Sequence, residues 1–223
     1  MADRRNVEES AAQVTAAWER IEKWLHAHAP ASAALLRPAA SDADIAAAEA
    51  AMGVELPPVL AAWYRIHDGV KEDAAADVAG ILPRDKTMLP LEVLVDEYRM
   101  RTQEWEREAG ILPFARTPGD TWSGWYVDAR KGEPSYGNLG EWAVDLGDDP
   151  YPASSHGWPL ADWLSELATA LEEGRCLRKP DGTDEKYDWP VLTVRGGLTW
   201  VDPRDPRVFP EGGILLDGPR QGQ

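Results

Sequence analysis

Val14, Trp18, Ile21 and Leu25 recur at the three- and four-residue spacing that lines one face of a helix. This predicts a helix over 7–29, ended by Pro30. The next stretch, SDADIAAAEAAMGVELPPVLAAWYRIHDG, marks every boundary of a helix pair. Ser41 is a good N-cap, and Asp44, three residues on, completes a capping box. Ile45, Ala48 and Met52 follow at helical spacing, and Gly53 suits the left-handed stop. Pro57 and Pro58 fit the first turn of the second helix, where a missing N–H costs little. Leu60, Trp63, Tyr64 and His67 carry it to a stop at Asp68-Gly69.

Beyond a polar loop at 71–77, the apolar run 78–82 predicts a short strand closed by Pro83. Leu91, Leu94, Val95 and Tyr98 predict a helix running to about Glu108, and 111–115 reads as a buried connector or strand. The spacing then changes from helical to alternating. In 125–128, Trp125 and Val127 point one way and Tyr126 and Asp128 the other. In 142–146, Trp142, Val144 and Leu146 share the apolar face. The Gly-, Pro- and Ser-rich segment between them suits a long hairpin loop, so the two pair antiparallel with one face buried. After a loop at 148–157, Pro159 opens an amphipathic helix through Leu160, Trp163, Leu164, Leu167 and Leu171, closed by Gly174. From Arg175 the chain turns Pro-, Gly- and Asp-rich. There 191–194 and 198–201 flank a turn at 195–197 and predict a hairpin, and the final GPRQGQ reads as disordered.

The pattern predicts several helices together with an antiparallel strand pair that buries one face, and a C-terminal hairpin. It divides the chain into a domain at 1–174 and an extension at 175–223. With 223 residues, 43% of them hydrophobic, the chain has enough apolar surface for a core without covalent staples. Eleven tryptophans against two phenylalanines make tryptophan the main aromatic filler, and core packing is the expected role of most of them.

Charge narrows the function classes. Thirty-nine acidic residues against 23 basic ones give −16, a surface that repels nucleic-acid phosphates and anionic membranes and attracts basic proteins. Acidity that serves only solubility is the plain alternative. The single cysteine, Cys176, excludes an internal disulfide and a cysteine metal cluster, and fits a reducing compartment. The N-terminal MADRRNVEES has no apolar leader core, and no apolar run approaches the roughly 20 residues that span a bilayer. The expected location is the cytoplasm.

The chain has no GxSxG, GxxxxGK, GxGxxG or HExxH motif. His26 and His28 sit two apart on a helix and face different ways. His67 beside Asp68 is better placed to meet terminal carbonyls than to act as an acid–base pair. Arg175 and Arg178 flank Cys176 and are placed to lower its pKa. Asp145, Asp148 and Asp149 form a local acidic cluster without the spacing of a calcium loop.

Read in order, WERIEKWL at 18–25, SDADI with Ala48-Glu49, Leu56-Pro57, Tyr64 and His67-Asp68-Gly69 resemble the SUKH superfamily, named partly for a yeast cell-wall assembly regulator. Gly80-Ile81-Leu82-Pro83, Leu112-Pro113-Phe114-Ala115, Asp128, Gly140 and 160–167 continue the likeness, which spans 18–174. The resemblance implies an α+β fold, a mainly antiparallel sheet with helices packed on it, here with the C-terminal β-hairpin extension added, and it implies no enzymatic activity and no cofactor. Many bacterial members look like immunity proteins that bind a cognate toxin, often a nuclease; others resemble regulators or scaffolds.

Three functions follow as expectations. The first is a binding module of the immunity type, neutralising a basic toxin domain. The expected partner-binding residues are Trp122, Tyr126, Asp128, Tyr136, Asp145, Asp148, Asp149 and Tyr151, on one sheet face and its loops. The alternatives are a housekeeping regulator or scaffold of the same family and a hydrolase using His67. No catalytic, cofactor-binding or metal-ligating residue is expected.

Overall fold

The computed structural model describes residues 2–71, 79–144, 158–184, 188–205 and 210–216. Six helices precede or follow the sheet strands in these residues: α1 (Ala2–His28), α2 (Pro30–Ala33), α3 (Asp42–Met52), α4 (Pro58–Tyr64), α5 (Leu91–Arg99) and α6 (Leu160–Glu173). A π-turn, Met100–Glu104, prolongs α5. The main sheet runs β1 (Thr87–Met88), β2 (Ile111–Arg116), β3 (Ser123–Asp128), β4 (Asn138–Ala143) and β5 (Trp158–Pro159), in that order and antiparallel throughout. Among the described residues a second sheet places β6 (Trp189–Leu192) between β7 (Leu198–Val201) and β8 (Ile214–Leu215).

Local chemistry fixes several of these elements. At α3 the Ser41 hydroxyl accepts from the Asp44 N–H while the Asp44 carboxylate accepts from the Ser41 N–H, and Gly53 closes the helix at φ +70°. Pro113 cannot donate to the ladder, and the β2–β3 register shifts between Leu112 and Ala115. The His67-Asp68-Gly69 turn is a junction between segments. His67 Nδ1 donates to the Arg37 carbonyl over 2.6 Å. The Asp68 carboxylate accepts from Arg37 and from the Leu91 N–H that opens α5. Gly69, at φ +70°, lies so close to the Leu89–Pro90 backbone that a Cβ would collide with it.

The core lies between the helices and the inner sheet face. Trp18 meets Trp63 at 5.0 Å between ring centroids, and Trp63 meets Phe114 at 5.7 Å. Trp125 on β3 meets Trp163 on α6 at 4.6 Å. Leu198 and Trp200 of the second sheet belong to this same core, and Trp200 is only 2% exposed. Its indole donates to the Ile81 carbonyl, and the Thr199 hydroxyl donates to the Asp85 carboxylate. The C-terminal hairpin therefore closes the main core.

The structure moves some boundaries. Regular α-helix in α5 ends at Arg99, nine residues before the expected end, because the π-turn brings the Arg101 guanidinium over the Trp142 ring, 3.3 Å from its centroid. Helix α4 ends at Tyr64 and the chain reaches Gly69 through a turn. Strand β4 begins at Asn138, four residues ahead of Trp142. The strand expected at 78–82 contributes only an isolated bridge between Leu82 and Lys86 among the described residues. The loop expected at 71–77, the loop at 148–157 and the C-terminal tail fall wholly or largely outside the described residues.

Candidate functional site

The β3–β4 register brings Tyr126 opposite Gly140 and Gly124 opposite Trp142, on the face away from Trp125 and Val127. Ile111, Tyr126 and Trp142 form a small second apolar cluster there, with Val144 packed against it. Arg101 caps Trp142, and Glu97 lies between Arg101 (3.2 Å) and Arg116 (3.5 Å). Charged groups in such a setting persist because they meet one another and an aromatic face.

This covering changes the roles of two expected partner residues. Tyr126 and Asp128 are both 0% exposed and present no surface to a partner. Alternation assigned them to a solvent face, but that face is covered. Asp128 instead holds the turn after β3. Its carboxylate accepts from the Arg130 backbone N–H, the Arg130 guanidinium and the Ser135 hydroxyl. Burial alone would raise its pKa; the bonds from Arg130 and Ser135 outweigh this and hold it below the usual carboxylate value. Trp122 is 69% exposed, at the edge of the same sheet face. Asp145, Asp148, Asp149 and Tyr151 lie outside the described residues.

Tyr136 is half-buried and lines a groove of about 240 Å³. Four separate elements build its walls: Ser10 of α1, residues 57–59 at the start of α4, residues 136–138 entering β4, and residues 159–161 at the start of α6. The sequence explains the shape. Prolines open both α4 and α6, so the walls carry few N–H groups. Gly137, at φ +81°, turns the chain, and its carbonyl accepts from the Leu160 N–H. The lining is mostly apolar.

Carboxylates stand near this groove, Glu49 and Glu55 close enough to act on Tyr136. Glu55 pairs with Lys131 at 2.5 Å, and both are exposed. Glu49 holds the Leu56 N–H at 2.8 Å. Asp162 follows Ala161 on α6 and accepts from Gln13, one turn along α1 from Ser10. The Tyr136 phenol has its pKa raised, first by burial and further by Glu55 and Glu49, against the opposing effect of Lys131. Pro57 and Pro58 read in sequence as helix-start signals alone. Their joint position with Tyr136 and Pro159 depends on four chain segments meeting, and no local pattern announces that.

The chemically suggestive groups are placed structurally. His67 Nε2 stands 3.3 Å from a Glu22 carboxylate oxygen while Nδ1 serves the Arg37 carbonyl. Cys176 is buried, and burial pushes its thiol pKa up, with Asp184 adding to this. Arg175 and Arg178, expected to lower it, act in that direction but are outweighed; Arg175 is engaged by Glu166 and Glu173. Among the described residues no group of three or more His, Cys, Asp or Glu could hold a metal ion. No helix there is long and apolar enough to cross a membrane.

The SMI1 / KNR4 family (SUKH-1) model matches residues 39–165, more than half of the chain. The chain belongs to the SUKH-1 family. The match runs from the α3 cap through the main sheet into α6, and so covers three of the four groove walls. This is a family of binding modules, generally non-catalytic, that act through protein–protein interaction. No curated protein matches the chain.

Proposed function

We propose that this SUKH-1 protein is a non-enzymatic immunity protein that binds and neutralises a basic toxin domain, with nucleases the leading class. The net charge of −16 carries the reading. A nuclease must present cationic surface to hold phosphates, so an acidic inhibitor meets it with complementary potential. Such steering raises association rates roughly 10–10³-fold at low salt. Exposed Trp122 offers an aromatic anchor of the kind that dominates interface energetics. Asp145, Asp148, Asp149 and Tyr151 remain candidate partner contacts. The protein works in the cytoplasm, where a toxin reaching its target must be met.

Purified chain and candidate toxin domain, mixed in a calorimeter at two salt concentrations, test this. Tight binding that weakens steeply with salt supports it. Absence of binding, or binding indifferent to salt, contradicts it.

A further inference from the structure

We infer that the groove between α4, α6 and the β3–β4 turn is a docking site for an extended basic segment of the partner protein, with an apolar side chain entering between Val59 and Pro159. This rests on the protein-binding reading above and assigns it a surface.

Two independent observations converge on the groove. The first is its form: a concave, mostly apolar site of about 240 Å³, with room for a leucine- or proline-sized side chain. Its walls come from four elements tied to the core, so it is formed before any partner arrives. Tyr136 places a phenol at the edge, an apolar body with a polar tip. The second is charge. Glu49 and Glu55 act on the Tyr136 phenol, Asp162 follows the lining residue Ala161, and exposed Glu133 stands three residues before Tyr136. Lys131 is the opposing charge in this set, and it is already paired with Glu55. An acidic segment would meet like charges here, whereas lysine or arginine flanking an apolar residue would meet carboxylates. The commitment is therefore to a basic, apolar-anchored protein segment, not to a fatty or acidic ligand.

The probe is a seven-residue peptide, Lys-Pro-Leu-Lys-Pro-Leu-Lys, with a matched peptide carrying Glu for every Lys. Each is titrated into the ¹⁵N-labelled full chain at low salt. The inference expects shifts from the basic peptide centred on Val59, Tyr136, Gly137 and Ala161, and none from the acidic one. Glu55→Lys with Asp162→Lys, both exposed before substitution, should weaken binding roughly tenfold or more with the fold intact by circular dichroism. Glu104→Lys, exposed on the π-turn, should leave it unchanged. Shifts centred on Trp105 and Trp122, equal response to both peptides, or no response at all would overturn the groove. A cognate toxin neutralised equally by wild type and the double variant overturns the groove while sparing the immunity reading. Peptide binding in the groove without toxin neutralisation does the reverse.

Discussion

Tyr126 fills the space that Gly140 leaves. A Cβ on Gly140 would fall within the Tyr126 ring, so the two residues are matched across the β3–β4 ladder. The glycine that the family pattern sets before a strand is here the seat of a fully buried tyrosine. Gly140→Ala must displace that ring or bend β4. Overpacking of this kind costs about 1–3 kcal/mol. A drop in the urea midpoint with an unchanged slope would show it.

Asp128 makes the turn after β3 acid-sensitive. Its folded pKa lies below the ordinary value, near 3.9 in an unfolded chain. Its contribution is therefore present above about pH 4 and is lost as pH falls through the folded pKa. Asp128→Asn removes that dependence along with charge-assisted bonds from Arg130, at a cost of about 2 kcal/mol at neutral pH. Denaturant titrations at pH 7 and at pH 3 should show the difference between wild type and variant shrinking in acid. A constant difference would refute the assignment.

Trp200 ties the C-terminal sheet to the main core. Trp200→Ala opens a cavity beside Ile81 and forfeits the indole bond to its carbonyl. The expected loss is about 3–5 kcal/mol in thermal or chemical unfolding. Both probes of unfolding, tryptophan fluorescence and far-UV circular dichroism, should move together.

Cys176 should be inert while the protein is folded. The residue is 3% exposed and its thiol pKa is raised by burial. A disulfide reagent at pH 8 should react with it only as fast as the native state opens, and immediately in denaturant. Prompt reaction in buffer would contradict the placement.

Helix α3 was legible to the residue, because Ser41 and Asp44 cap one another and Gly53 closes onto the Glu49 carbonyl, all within a single helix. The C-terminal hairpin was readable from its turn at Arg195-Gly196-Gly197, but its first strand runs Trp189–Leu192, two residues ahead of the expected 191–194, and β8 adds a third strand. What the sequence could not show depends on distant contacts. The end of α5 is set by Arg101 reaching Trp142, 41 positions along the chain. Trp142 packs over the face where Tyr126 was expected to be open, and Arg130 and Ser135 engage the Asp128 carboxylate at the far end of β3. The start of β4 follows from Leu139 and Gly140 pairing with Val127 and Tyr126, which outweighs their weak strand pattern. The groove was illegible for the same reason: Tyr136 was marked, but Ser10, Val59 and Ala161 join it only through the fold.

The most direct measurement is growth of cells expressing a basic nuclease toxin as candidate partner, with and without this chain. Neutralisation predicts that co-expression restores growth and that toxin and chain co-purify as a salt-sensitive complex. Cells that die equally with and without the chain, at verified expression of both proteins, would contradict it.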